Sequence, residues 1–391
     1  RRPRPALVEI AGDAFKLDTD APVLPKAKSE RRQPDKGDVA RAVELIARAK
    51  RPLIWAGGGV VDGDASAEFL RVAEKLGAPI LTSQTGKSAV PGDHPLLIGN
   101  WSNERPVRDL IADSDLLVAV GTRFSYFPTG GWSLELPETI VQIDLDPAEI
   151  GRNYRVSASI VGDARVALAL LDSALDKASY AMPADRRADV AALNRRIADA
   201  VGRPVELDVL EQIRKALPAE AMVFNDPTTI VFWARSYWKC YAPRTWFVPS
   251  GFGTLGFALP SAIGAAIAKP GTPSVAMIGD SGVMFTIQDL MTAVEHKVPV
   301  IVLVFNDRGY GVERRHQDHL YGRRSGVDLL PPDFVALAQA FGAKGVRVDD
   351  LKQVGATVKS ALGADGPVVI EVPCDFRHPG YGAWVDWDKS G

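Results

Sequence analysis

Two short turns carry the residues best placed to do chemistry. Gly279-Asp280-Ser281-Gly282 follows the apolar run 274–278, and Asn306-Asp307-Arg308-Gly309-Tyr310 follows the apolar run 300–305. Between them Val283, Ile287, Leu290, Met291 and Val294 recur at helical spacing, which predicts a strand, a helix and a second strand. A right-handed crossover lays such strands parallel, and ligands of open parallel sheets gather beyond the carboxyl ends. Asp280 and Asp307 are therefore expected side by side at one sheet edge, where two carboxylates repel unless a cation joins them. Hard oxygen ligands suit Mg²⁺ or Ca²⁺, and Mg²⁺ in particular takes one or two carboxylates and completes its shell with phosphate oxygens and water. Ser281 and Gly282 open the helix, where free amides receive phosphate and small residues let it come close. The pair of turns reads as a metal ion tied to a diphosphate. A single G-D-x-G after a strand is also just a tight turn with an aspartate cap; the second acidic turn, one strand later, is what favours a site.

A competing ligand is written nearby. "PSGFGTLGFALPSAIGAA", residues 249–266, contains Gly251, Gly253 and Gly256 in the G-x-G-x-x-G spacing, between a strand and a helix, with Asp280 ending the next strand. On that pattern Asp280 would hold a ribose hydroxyl and the chain would be an NAD(P)-dependent oxidoreductase. The acidic turn at Asn306-Asp307 then has no purpose, but both readings stay open on these residues. Gly57-Gly58-Gly59 also follows a strand; no acid or lysine completes a phosphate motif there, so a structural turn is favoured.

The elements that must position these turns come in two alternating series. Apolar strands at 52–56, 78–81, 116–120 and 139–143 alternate with amphipathic helices over residues 38–178, and strands at 221–224, 245–248, 274–278, 300–305 and 368–372 do so over 204–378. Strands spaced by helices imply crossover units, so the expected class is α/β, two doubly wound parallel-sheet domains. Residues 20–37 are rich in proline and charge and read as a linker after one short strand at 6–10; a polar Ala- and Arg-rich linker is expected at 179–203 and a tail at 379–391.

In a chain of 391 residues, 46% hydrophobic and 24% charged, both domains can bury proper cores. The net charge of -2 gives no broad attraction to nucleic acid or to an anionic membrane, and the Arg314-Arg315 and Arg323-Arg324 pairs read as solvated faces. Cys240 and Cys374 are the sole cysteines and form no CxxC, so neither a disulfide framework nor a zinc site is indicated. The longest aliphatic run is far short of a membrane span and no secretory signal is visible; a cytoplasmic location is expected.

At this point the residues resemble the thiamin diphosphate enzymes of the acetolactate synthase and pyruvate decarboxylase family. That family's cofactor signature is GDG, about 25 residues, then NN or ND, and it stands here as Gly279-Asp280-Ser281 and Asn306-Asp307, with serine for the third residue. "RPLIWAGGGV", "LLVAVGTRFS" and "IVQIDLDPAEIGRN" are similar to the family's middle domain, and the chain from about 204 onward to its diphosphate domain. "RPRPALVEIAGD" resembles the last strand of the pyrimidine-binding domain, so residues 1–37 are expected to be its remnant and a linker. The resemblance implies thiamin diphosphate and Mg²⁺ as cofactors, with the side chains of Asp280 and Asp307 and the carbonyl of Gly309 as metal ligands. It implies Gly279, Ser281, Gly282 and Tyr310 around the diphosphate, and Thr229 from "NDPTT" in a loop that contacts it. It also implies the Gly253 carbonyl as acceptor from the aminopyrimidine and Leu255 as the wedge that bends the cofactor. The implied reaction is decarboxylation of a 2-oxo acid, followed by carboligation or by simple protonation.

"GYGVERRHQD" bears on that choice. Decarboxylases of the family often carry a glutamate where Glu313 stands, and a desolvated Glu313 would deliver the closing proton, with His316 one turn on facing the substrate. The bland alternative is an exposed glutamate paired with a neighbouring arginine and a surface histidine. "LLPPDFVALAQAFGAKGVRV" looks like the synthase end of the family. Many such synthases hold FAD in the middle domain; "GTRFSYFPTGG" keeps the GxRF start and lacks the acidic-arginine pair that follows it there, which leaves FAD an open alternative. The activating glutamate of the pyrimidine domain has no match. The chain is therefore expected to be a piece of a longer enzyme, one subunit of a split enzyme, or a catalytically silent binding module. The family's shared active sites imply a homodimer or tetramer, or a separate subunit that brings the missing domain.

Overall fold

The computed structural model describes residues 5–25 and 30–376; the tail expected at 379–391 and part of the linker at 20–37 lie outside them. The described residues form two parallel sheets of six strands each. The first holds β1 (Pro52–Ala56), β2 (Ile80–Thr82), β3 (Leu97–Gly99), β4 (Leu116–Val120), β5 (Ile140–Asp144) and β6 (Ala158–Val161), in the order β3-β2-β1-β4-β5-β6. The second holds β7 (Met222–Asn225), β8 (Trp246–Phe247), β9 (Ser274–Gly279), β10 (Val300–Asn306), β11 (Lys344–Arg347) and β12 (Val368–Pro373), in the order β11-β12-β10-β9-β7-β8.

The inner strands form because their residues are mostly branched or aliphatic and apolar on both faces, as a sheet covered on both sides requires. Successive residues feed opposite cores. Ile54, Val118 and Val141 join one cluster and Leu53, Trp55, Leu117 and Ala119 the other; in the second sheet Met277, Ile301 and Leu303 oppose Ala276, Ile278, Val300 and Val302. Val304 of β10 is aligned with Ile278 of β9 and Phe305 with Gly279, so the turns after these strands leave the sheet at the same level.

Four expectations are corrected. Residues 6–10 form no strand: Leu7 and Val8 are 93% and 77% exposed, because an alternating apolar pattern makes a strand only where a neighbour completes its ladder. The stretch 179–203 carries a helix, Arg187–Val201, whose Val190, Leu193 and Ile197 pack with Leu53, Trp55 and Val107 beneath the first sheet; three apolar residues on one stripe suffice against an otherwise polar composition. The single helix expected after β9 is broken into Asp280–Val283, a 3₁₀ turn at Ile287–Asp289, and Leu290–Glu295. Val283 and Leu290 are buried in it, while Met291 is 54% exposed. Arg314 and Arg315 are not a solvated face; both are partly buried and bonded to backbone, as described below. Three short strands, β3, β6 and β11, have no separate expectation in the sequence; all lie at sheet edges or next to an edge.

The two domains are tied by polar contacts. Lys87 of the first reaches the last carbonyls of the helix Thr229–Tyr237 in the second, donating to Arg235 O at 2.9 Å and Ser236 O at 3.2 Å. Arg244 donates to Asp64 Oδ1 at 2.9 Å and to Asp62 O at 3.1 Å.

Candidate active site

Three aspartates leave the second sheet at its carboxyl edge: Asp226 after β7, Asp280 after β9 and Asp307 after β10, with β9 between the other two strands. Asp226 and Asp280 are buried and Asp307 is half-buried.

Asp280 opens the four-residue helix Asp280–Val283, and its Oδ2 accepts the Gly309 N–H at 3.0 Å. The turn after β9 is thus bonded directly to the turn after β10. Burial raises the Asp280 carboxyl above its ordinary range against the opposing pull of backbone amides and Arg314. Asp307 is pushed up to about 6, by burial first and then by the charge of Asp280. The Asp280 charge disfavours ionisation of Asp307 in a place that desolvates both, and the two form an oxygen donor set without an ammonium or guanidinium in ion pairing with either among the described residues. That is the environment a hard divalent cation satisfies. Among the described residues no cluster of three or more His, Cys, Asp or Glu side chains forms, so a metal here needs backbone and ligand oxygens besides the two aspartates.

The turn that bears Asp307 is held in an uncommon shape. Arg308 has φ +61, with its N–H on Asn306 Oδ1 at 3.2 Å. Asn306 in turn donates to Glu371 Oε1 at 2.7 Å, and the buried Glu371 is charge-paired with Arg347 at 2.8 Å. Arg314 donates to Asp307 O at 3.2 Å and Arg308 O at 2.9 Å, and pairs with Asp328 at 2.9 Å. Tyr310 N–H bonds Val327 O and Leu329 N–H bonds Arg308 O, both at 2.9 Å, so residues 327–329 clamp the turn from outside. A side chain at Gly309 would strike Val327 O and the Arg314 guanidinium, and one at Gly311 would strike the Asp307 carboxylate. Arg315 donates to Phe376 O at 3.0 Å and to the buried Thr229 Oγ1 at 3.4 Å. Thr229 thereby stands beside this turn, as the first residue of the helix Thr229–Tyr237 rather than in a loop. Ser281 and Tyr310 are half-buried, and Gly279 and Gly282 buried.

Asp226 is the residue sequence reasoning missed. Its Oδ2 accepts from Gly256 N at 2.6 Å and its Oδ1 from Ala258 N at 2.7 Å, which fastens the loop 249–257 and the start of the helix Ala258–Ala268 to β7. Gly253 and Gly256 have φ +65 and +80, left-handed conformations that favour glycine. Gly253 is exposed, Leu255 half-buried, and Phe252 fully exposed at 100%. The signal was present: an aspartate directly after a buried strand, as at 280 and 307, hidden in a stretch that reads as a turn.

Glu313 and His316 lie on the helix Gly311–Tyr321 that leaves the Asp307 turn, 3.6 Å apart. The Glu313 side chain is 63% exposed and its ion-pair partner is the histidine, not an arginine.

The first sheet's carboxyl edge is different. Gly57 N–H bonds Val120 O at 2.8 Å and Gly59 N–H bonds Gly121 O at 3.1 Å, and a Cβ on Gly59 would sit 2.7 Å from Gly121 Cα. The glycine run after β1 serves this close backbone crossing.

Two family comparisons match the chain at these places. Residues 226–372 match the thiamine pyrophosphate enzyme C-terminal TPP binding domain, and residues 39–171 match the thiamine pyrophosphate enzyme central domain. The chain belongs to the thiamine pyrophosphate enzyme family. Relatives include a probable acetolactate synthase large subunit of Methanocaldococcus jannaschii, 33% identical over 86% of this chain and 60% of the relative. A sulfoacetaldehyde acetyltransferase of Alcaligenes xylosoxydans xylosoxydans is 32% identical over 95% of this chain and 68% of the relative. A probable 2-ketoarginine decarboxylase of Pseudomonas aeruginosa is 34% identical over 95% and 67%. The chain spans roughly three fifths to two thirds of the length of these relatives. Membership of this family removes the NAD(P) alternative, and the three glycines 251, 253 and 256 belong to the loop that Asp226 fastens. No helix among the described residues is long and apolar enough to cross a membrane.

Proposed function

We propose that this chain forms the middle and diphosphate-holding parts of a thiamin diphosphate- and Mg²⁺-dependent enzyme that acts on 2-oxo acids, with decarboxylation followed by carboligation as in an acetolactate synthase. The observation that carries the reading is the pair Asp280 and Asp307 directly after two adjacent parallel strands, both desolvated, Asp307 in the field of Asp280, with the Gly309 N–H bonded to Asp280. The donor set is all oxygen, as Mg²⁺ prefers.

In this reading the carboxylates of Asp280 and Asp307 and the carbonyl of Gly309 hold the ion. Gly279, Ser281, Gly282, Tyr310 and Thr229 would surround the diphosphate, and the small residues leave room for it. The Gly253 carbonyl and Leu255 meet the aminopyrimidine and the bend between the rings. Bound thiamin diphosphate supplies the electron sink for decarboxylation. The chain's own residues would orient it and hold the cation that neutralises its tail.

Exposed apolar side chains stand around that mouth: Phe252, Met284, Phe285 and Leu330. A rim of this kind supports a covering surface, from the pyrimidine-binding domain of a second copy in a homodimer or tetramer, or from a separate subunit. FAD is not included in the proposal: the segment 121–131 keeps the GxRF start without the acidic-arginine pair that follows it in FAD-holding synthases.

Calorimetry with thiamin diphosphate, with and without Mg²⁺, is the first test. Binding that needs the metal is expected; binding that ignores it overturns the assignment of Asp280 and Asp307. A second reading, a decarboxylase without ligation, is favoured by one observation: the titratable pair Glu313 and His316 next to the metal turn. There Glu313 becomes a proton donor once a partner surface covers it, and His316 faces the 2-oxo acid. Pyruvate given to a protein that includes the pyrimidine-binding domain separates the two, acetolactate marking the first and free aldehyde the second.

A further inference from the structure

We propose that Asp226 is a positioning residue that locks the loop 249–257 to the turn Gly279–Gly282, fixing the separation between the two ends of one elongated ligand. The proposal rests on the functional reading above, in which the loop meets the ring end of the cofactor and the turn its diphosphate.

The loop has few other attachments. Gly251, Phe252, Gly253 and Thr254 are all exposed, and the Gly253 N–H is bonded within the loop, to Pro249 O at 2.9 Å. Its anchors are at Gly256, whose N–H meets Asp226 at 2.6 Å and whose carbonyl accepts from Thr286 Oγ1 at 3.2 Å. Asp226 itself is rigidly placed. Its N–H bonds Met277 O on β9 at 2.9 Å, its carbonyl accepts from Thr228 N at 2.8 Å, and it is 1% exposed.

The same carboxylate touches the other loop. A Cβ built on Gly282 would lie 2.8 Å from Asp226 Oδ2, so the diphosphate turn is packed against the oxygen that holds Gly256. Both carboxylate oxygens are engaged by amides at the start of the helix Ala258–Ala268, and no cation among the described residues pairs with them. Backbone donors at a helix start stabilise a carboxylate and fix its direction. Asp226 is thus neither a metal ligand nor a proton donor to substrate; it is a spacer with charge-assisted bonds on one side and a van der Waals surface on the other. Gly282 is small because anything larger would push the two loops apart.

The test uses Asp226→Asn in the 391-residue chain. An amide keeps one oxygen as acceptor but presents an NH₂ group to one of the two donors. Two probes with Mg²⁺ are compared by calorimetry: thiamin diphosphate, which touches both loops, and inorganic pyrophosphate, which touches only the turn. Thiamin diphosphate affinity is expected to fall at least tenfold and pyrophosphate affinity to change less than threefold. The Gly256 and Ala258 amide proton signals are expected to move upfield, with the Gly309 amide, bonded to Asp280, unmoved. Equal losses for both probes, or no loss, overturn the proposal. If the wild type binds neither probe, the functional reading fails while the amide signals still decide whether Asp226 fastens the loop. Should the variant not fold, the wild-type signals carry the test: thiamin diphosphate is expected to shift the Gly256 and Ala258 amides and pyrophosphate to leave them in place, and the reverse pattern refutes the lock.

Discussion

At the carboxyl edge of the first sheet the turns after β1 and β4 close on each other, Gly59 N–H donating to Gly121 O, whereas at the edge of the second the turns after β7, β9 and β10 each present an aspartate. Both sheets are parallel, six-stranded and doubly wound. The residue that follows the strand makes the difference. Glycine lets backbone meet backbone, so the crevice where strand order reverses in the first sheet is filled by main chain. Aspartate carries charge into a desolvated place and leaves a deficit that only donors or a cation can make good. Topology supplies a suitable edge twice, and aspartates gather at one of them.

The largest effect that should expose this contrast is the loss of one of the two carboxylates proposed to hold the metal. Asp280→Asn is expected to weaken Mg²⁺-dependent thiamin diphosphate binding by more than about a hundredfold in calorimetry, since an amide is a poor ligand for a hard cation. The thermal midpoint of the metal-free chain should not fall, because a buried, disfavoured charge has been removed. A lowered midpoint together with retained binding would mean that Asp280 is structural.

The mirror experiment is Gly121→Ala. With φ +59 and the Gly59 backbone in the way, the methyl group should cost about 1–3 kcal/mol or more in urea unfolding while leaving cofactor affinity within threefold. Strong loss of cofactor binding would show that the first sheet's edge takes part in the site.

Acidity offers a third handle. Asp307 has its carboxyl raised to about 6, above the ordinary value, so its ionised form is disfavoured in the metal-free fold. The stability associated with its protonated form is present below the usual carboxylate range and is lost as pH rises through about 6. Mg²⁺ needs the ionised form, so affinity for Mg²⁺-pyrophosphate should fall by up to about tenfold per unit below pH 6. Asp307→Asn should bind weakly and without that pH slope; an unchanged slope would assign it to another group.

The smallest expected effect concerns the brace. Arg314→Lys removes the forked reach to Asp307 O, Arg308 O and Asp328, and should weaken Mg²⁺-pyrophosphate binding about three- to tenfold with little change in unfolding midpoint. No change would place the rigidity of the turn in the 327–329 clamp alone.

The fold's long strands were legible because residues such as 300–305 are apolar on both faces and end in turn residues, a signature that survives without tertiary knowledge. The edge strands β3, β6 and β11 are too short for it, and the apparent strand at 6–10 shows the converse, a correct pattern with no neighbour to pair with. In the site, Asp280 and Asp307 stood out by repetition of an acidic turn one crossover apart. Asp226 did not, because its task is to receive backbone amides from residues 256–258, and nothing in the neighbouring letters announces a bond to a segment so distant along the chain. The arginines 314 and 315 misled for a related reason: adjacent positive charges resemble a wet surface until the carbonyls they bind are in view.

The link made by Lys87 has a practical corollary for anyone who recombines these modules. Its ammonium is buried, with a pKa lowered to about 8 by that burial, and it neutralises the negative end of the very helix whose first residue, Thr229, stands beside the Asp307 turn. A chimera that joins residues 204–376 to a foreign central domain therefore inherits an unterminated helix unless the new partner brings a cation to the same spot.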